Sequence, residues 1–181
     1  NVKATFFVTN GKPDYQNLIA QEAQRGHTVA IHSASHDYAK IYQSVDAYFA
    51  DFDEMNSIIT AQTGKAADLV RFPGGSSNTI SKKYCYGIMS QLVCAVEERG
   101  FRYCDWNVSS GDAGGTTSTS QVVANVIEGI KSNNVSVVLQ HDIKNFSVDA
   151  VEQIIQWGLS EGYTFLPMTS TTPMSHHGVN N

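Results

Sequence analysis

The sequence predicts an α/β fold, an incomplete or distorted (β/α) barrel that lacks its N-terminal strand. Three observations lead there. Compact apolar runs alternate with longer amphipathic ones, the pattern of parallel strands joined by right-handed helical crossovers. The strand candidates are apolar almost throughout, as expected where a parallel sheet is covered on both faces. About six strands can be counted, short of the eight of a full barrel, and the chain opens on "NVKATFFVT", a buried strand already under way. An open doubly wound sheet shares the alternation. One further strand upstream, removed by processing or present as a separate N-terminal polypeptide, brings the total to about seven and points to the incomplete barrel.

Each element has its own signal. "ATFFV" is the first strand, and Pro13 precedes the helical "DYQNLIAQEAQRG", which Gly26 ends. "TVAIHS" is the second strand. After a polar loop, "SVDAYFADFDEMNSIITAQTG" reads as a helix that stops at Gly64, and "LVRFP" is a short apolar strand. "ISKKYCYGIMSQLVCAVEERG" is helical, with Gly87 a weak point and Gly100 the cap. "FRYCDWNV" is a strand, followed by the loop "SSGDAGGTTSTS" and the helix "QVVANVIEGIKSN". The strand "VSVVLQH", the helix "SVDAVEQIIQWGLSEG" and the strand "YTFLP" complete a domain spanning residues 1–168. Residues 169–181 form a polar C-terminal tail, expected to be solvated.

Composition excludes some functions. With 12 Lys and Arg spread thinly and a net charge of −5, no phosphate-tracking surface and no nucleic-acid partner are expected. No stretch is long and apolar enough to span a bilayer. Three cysteines, Cys85, Cys94 and Cys104, leave at least one unpaired within the chain. The Ser-, Thr- and Asn-rich surface leans toward an extracellular or cell-wall location.

The polar chemistry gathers at one place. His32, Arg71, Asp105 and His141 all fall at or just beyond the carboxyl ends of proposed strands, where catalytic groups converge in α/β folds. His32 and His36 can converge on one ion if the loop coils once, or be ordinary loop histidines. Neutral imidazoles suit a borderline ion such as Zn²⁺. Ser33 stands where a zincin would carry glutamate, so the pair is not an H-E-x-x-H helix. His141 can protonate a leaving group if Asp142 or another carboxylate orients it; Asp142 can equally cap a helix. Arg71 can orient a catalytic carboxylate, and the turn Pro73-Gly74-Gly75 can bring backbone N–H groups to a substrate oxygen or simply join two elements. Asp112 can reach Arg71 or a water, Trp106 can wall a sugar or acetyl group or pack in the core, and Trp157 belongs to the core. His176 and His177 lie in the tail. Ser33, Ser76 and Ser77 keep a serine esterase open, although no G-x-S-x-G elbow occurs.

Taken in order, "FFVTNG", "GHTVAIHSASHD", "RFPGGSS", "DWNVSSGDA" and "VVLQHD" resemble the NodB-like polysaccharide deacetylases, carbohydrate esterase family 4, over nearly the whole chain. The resemblance implies one divalent metal, Zn²⁺ foremost, bound by His32 and His36. It implies general-acid work for His141, Leu139 in an acetyl pocket, Arg71 supporting the base, and Asp112 contacting Arg71 or tuning the site. A backbone N–H after Pro73 would stabilise the oxyanion, with Gly74 and Trp106 beside the substrate. Gly74 stands where the family commonly has an aromatic residue and Ala113 where it commonly has tryptophan. The family's T-F-D-D-G, which supplies the catalytic base and a third metal ligand, lies upstream of "KATFFV" and is not in these 181 residues. The implied activity is hydrolysis of N-acetyl groups on amino sugars of an acetylated polysaccharide such as peptidoglycan or chitin. O-acetyl xylan esterase and a catalytically inactive carbohydrate-binding homologue are the alternatives.

Overall fold

The computed structural model describes residues 2–181. Its chain order is β1 (Thr5–Thr9), α1 (Asn17–Gln24), β2 (Thr28–Ser33), α2 (Tyr38–Ile41), α3 (Val45–Thr63), β3 (Leu69–Val70), α4 (Ile88–Glu98), β4 (Arg102–Tyr103), β5 (Val108–Ser109), α5 (Thr119–Lys131), β6 (Val138–Leu139) and α6 (Asn145–Ser160). Every described strand pair is parallel. One sheet runs β1-β2-β3-β4 and a second pairs β5 with β6, and these pairings do not close into a ring. The α/β class and the unclosed barrel are those expected from the sequence.

The chain divides into two compact units, Lys3–Asp105 with Leu166–Asn181, and Trp106–Phe165. In the first, α3 supplies much of the core. Tyr48, Phe52, Met55 and Ile59 recur at helical spacing and are all buried. Ser44 starts the helix by accepting the Ala47 N–H at 3.0 Å, and Gly64 ends it in a left-handed cap. This stripe packs with Ile31 of β2, Val70 of β3, Phe72, and Leu92 and Val96 of α4. The parallel register places the residues after β2, β3 and β4 on one carboxyl edge. The Arg71 N–H donates to Ile31 O at 2.9 Å, and the Cys104 N–H to Val70 O at 2.9 Å.

In the second unit, Val122, Val126 and Ile130 of α5 pack on Ala150 and Ile154 of α6. Gly129 lets α5 lie close on β5, where a Cβ would collide with Val108. Strands β5 and β6 likewise deliver the residues that follow them to their own carboxyl edge.

Some expected elements differ. "FRYCDWNV" is two strands in different sheets, because the Asp105 N–H leaves the ladder to donate to Ser175 O at 2.7 Å. "YTFLP" forms no strand. Gly87 lies outside α4 as its left-handed N-cap rather than within a longer helix. The tail is tied to the fold, although many of its residues are exposed. The His177 N–H donates to Asp105 at 2.9 Å, and Val179 packs against the core. Asn181, 8% exposed, accepts the Gly87 N–H through its side chain at 2.8 Å and the Ser90 N–H through its carbonyl at 2.7 Å. Cys85, Cys94 and Cys104 are all free thiols. No described helix is long and apolar enough to cross a membrane.

Candidate active site

Of the two histidines of "HSASH", His32 is the second-to-last residue of β2 and His36 lies in the loop just beyond it. Their ring centroids are 5.0 Å apart. His32 Nδ1 lies 2.6 Å from Arg71 O. A carbonyl only accepts, so Nδ1 carries a proton, and in the neutral ring the lone pair lies on Nε2, the tautomer a metal-binding imidazole requires. His36 has φ of 53°, the one non-glycine residue with positive φ among those described. Backbone strain of this kind persists where surrounding contacts over-determine it. Here the His36 N–H donates to Ser33 Oγ at 2.8 Å. Ser33 in turn donates to Asp51 of α3 at 2.6 Å, and the N–H groups of Ala34 and Ser35 also donate to Asp51, each at 2.8 Å. Burial alone would raise the Asp51 carboxyl; these hydrogen bonds outweigh it and hold the group below the usual carboxylate range. Two imidazoles with a fixed tautomer fit part of a divalent-ion site, for which three protein ligands are usual in catalytic zinc. Among the described residues no group of three or more His, Cys, Asp or Glu gathers for a metal.

The Arg71 loop forms a second cluster in the same unit. The guanidinium is buried, with Nε donating to Cys104 O at 3.0 Å and Nη2 to Asp105 O at 2.9 Å, and it lies 4.1 Å above the Phe7 ring. Burial lowers its pKa, and Cys104 and Asp105 act against that shift. The described hydrogen bonds therefore spend the fork on backbone carbonyls. Asp105, fully buried, accepts the Ser76 N–H at 2.8 Å on Oδ1, and the Ser76 hydroxyl and the His177 N–H (2.9 Å) on Oδ2. One carboxylate thus ties the "PGGSS" turn to the tail, where His176 also stacks on Tyr103 at 3.9 Å. Pro73 O accepts the Tyr42 hydroxyl at 2.6 Å. Gly74 has φ of +79°, and a Cβ built there would lie 2.7 Å from Tyr38 Oη, so Tyr38 fills the space a side chain at 74 would need.

The second unit holds His141 and Asp112. His141 Nδ1 is 2.7 Å from Asp112 Oδ1, and the His141 N–H donates to Oδ2 at 2.7 Å. The buried Ser147 hydroxyl donates to the same Oδ2 at 2.6 Å, and Lys144 Nζ donates to Asp112 O at 2.7 Å. Asp112 is thus the carboxylate that orients His141, whereas Asp142 is exposed. Trp106 and Leu139, on the same unit, are half-buried; Pro73 is buried and Gly74 exposed on the first.

Asp112 makes stability depend on pH. Burial would raise its pKa, but hydrogen bonds from Ser147, from His141 through ring and backbone, and from Ser110 outweigh that and depress it. A depressed carboxylate stabilises the fold above its unfolded pKa and loses that contribution as pH falls through the folded value. Denaturant midpoints measured from about pH 6 down to pH 3 should fall steeply below about pH 4, near the unfolded aspartate pKa, and less steeply in Asp112→Asn. Parallel slopes in the two proteins would show that Asp112 is not responsible.

Sequence reasoning did not single out Asp51, Lys144, Tyr38 or Tyr42, and it read Ser147 only as a helix start. The available signal for Asp51 was its place beside Phe52 on the apolar stripe of α3, where a carboxylate needs a buried partner.

The sequence pattern described as Polysaccharide deacetylase matches residues 1–86. The chain is 71% identical to the crystal structure of the catalytic domain of a peptidoglycan N-acetylglucosamine deacetylase from Eubacterium rectale, with a TM-score of 0.99 over 100% of this chain and 83% of that one. The chain belongs to the NodB-like polysaccharide deacetylases, carbohydrate esterase family 4. Similarity within this deacetylase family extends to a polysaccharide deacetylase structure from Bacillus cereus, 29% identical with a TM-score of 0.82, covering 97% of this chain and 83% of that one. A curated peptidoglycan-N-acetylglucosamine deacetylase of Bacillus cereus is 30% identical over 171 residues, 91% of this chain and 59% of the relative. The chain thus spans about three fifths of the length of the curated deacetylases it matches, 59% and 61% for two of them.

Proposed function

We propose that this chain is part of a metal-dependent hydrolase that removes N-acetyl groups from amino-sugar residues of a polysaccharide such as peptidoglycan, acting outside the cell or at the cell wall. The observation that carries this reading is His32, whose Nδ1–H is committed to Arg71 O beside His36, so that in the neutral ring the lone pair lies on Nε2. Membership of the deacetylase family supports it.

His32 and His36 would hold the divalent ion, with Zn²⁺ first among candidates. When bound, such an ion supplies Lewis-acid polarisation of an acetyl carbonyl and of a water. The third protein ligand and the carboxylate base are assigned to chain preceding residue 1. Net hydrolysis breaks the acetyl C–N bond and gives acetate and a free amine. His141, its Nδ1 on Asp112 Oδ1, presents Nε2 as proton donor to the departing nitrogen. Asp112 keeps that tautomer. Arg71, by gripping Cys104 O and Asp105 O, holds the strand ends from which the Pro73-Gly74 turn departs. The Gly74 N–H is assigned to the carbonyl oxygen as it gains charge, and Leu139 and Trp106 to the walls around the acetyl group.

The test is metal content and acetate release of the full-length protein, assayed on N-acetylglucosamine oligomers and on O-acetylated xylan. His32→Ala is expected to lose the bound ion, and a chelator to abolish release from the amino-sugar substrate. Unchanged metal content in His32→Ala, or release indifferent to chelation, would overturn the reading. The second outcome would favour the serine-esterase alternative, for which one observation speaks: Ser77 Oγ lies 3.1 Å from His177 Nδ1.

A further inference from the structure

We propose that Asp51 is a positioning residue for the metal-binding loop, setting the geometry of His32 and His36 from α3. The inference rests on the metal-binding reading of those histidines and extends it to a residue outside the loop.

Asp51 is 2% exposed and sits on the face of α3 that is otherwise apolar. Its described hydrogen-bond donors all come from Ser33, Ala34 and Ser35, the three residues between the two histidines. Oδ2 accepts the Ser33 hydroxyl and the Ala34 N–H, and Oδ1 accepts the Ser35 N–H. Ser33 then accepts the His36 N–H. A chain of bonds therefore runs from the helix through Ser33 to the backbone of His36, the residue at φ of 53°. A left-handed backbone at a non-glycine residue costs free energy and must be held by its neighbours. Asp51 supplies that hold through both of its oxygens.

The chemistry requires a carboxylate. An asparagine offers one accepting oxygen and one donating amide, so its nitrogen would meet either the Ser35 N–H or the Ser33 and Ala34 donors head-on. A buried donor left without an acceptor drives the loop to rearrange. With the loop released, the imidazoles lose their mutual placement although both remain present.

The experiment measures Co²⁺ affinity and the visible Co²⁺ spectrum of the full-length protein. Asp51→Asn is expected to weaken Co²⁺ binding by about 10- to 100-fold, the range seen when outer groups that orient metal ligands are removed, and to alter the spectrum. Ile59→Ala, on the buried face of the same helix, is the control for general loosening: it should lower the denaturation midpoint yet keep Co²⁺ affinity within about twofold. If Asp51→Asn does not fold, Ser33→Ala carries the test, because it cuts the relay to His36 while leaving the Ala34 and Ser35 bonds. Affinity and spectrum unchanged in Asp51→Asn (or in Ser33→Ala as substitute), or weakening no greater than in Ile59→Ala, would overturn the inference. His32→Ala separates the two levels. Loss of Co²⁺ there with Asp51→Asn unaffected refutes only the positioning role, whereas retention of Co²⁺ in His32→Ala refutes the metal reading itself.

Discussion

Replacing His141 with alanine is expected to lower kcat by about 10²- to 10⁴-fold, the usual contribution of a positioned general acid, with metal content unchanged. The size follows from how much of the structure is devoted to one ring. Asp112 is 1% exposed and bonds both the His141 N–H and Nδ1, while Ser147 and Lys144 hold Asp112 through its carboxylate and its carbonyl. An imidazole so fixed has one nitrogen left to exchange a proton. The effect should appear in kcat rather than KM, because the proton is needed as the C–N bond breaks. Acetate release under saturating substrate, measured with the metal content of the same sample, checks it. A fall below about tenfold would mean that water protonates the amine and His141 has another task.

The second large effect is on stability. Asp105→Ala should destabilise the fold by roughly 3 kcal/mol, since the Ser76 N–H, the Ser76 hydroxyl and the His177 N–H would each lose a buried acceptor. The urea midpoint should fall, and amide exchange in residues 175–181 should accelerate, because the carboxylate is one of the ties between the tail and the "PGGSS" turn. A midpoint shift equivalent to less than about 1 kcal/mol would show that water takes the place of the carboxylate.

Much of this organisation is legible in the sequence. The apolar stripe of α3 and its Ser44 and Gly64 ends follow from helix periodicity and capping, and the alternation of elements gives parallel pairing. Arg71 and Asp105 stand just after short strands of one sheet, and His141 just after a short strand of the other, as expected, because parallel strands carry their following residues to the carboxyl edge of their own sheet. The remainder is hidden for physical reasons. The tail contains little apolar surface, so hydropathy reads it as solvated, whereas hydrogen bonds that it donates to Asp105 and Ser81 and accepts from Ser90 hold it. Asp142 is next to His141 in sequence, but Asp112, 29 residues away, reaches the ring. Asp51 is one acidic residue among several on α3, set apart in the sequence only by its place on the apolar stripe, and its partners emerge only when folding faces it with three donors. The break in "FRYCDWNV" is likewise a tertiary event, caused by a tail backbone that competes for the Asp105 N–H.

The fit between Gly74 and the Tyr38 hydroxyl links the turn after β3 to the first residue of α2. A protein engineer who wishes to reshape the surface at Gly74 cannot vary it alone. Any side chain there meets the phenol and also sits on a backbone at φ of +79° that only glycine adopts freely. Productive libraries must randomise Tyr38 and Gly74 jointly, with shorter residues at 38 whenever 74 grows. Among natural variants, the same steric exclusion should leave the two sites covarying in size.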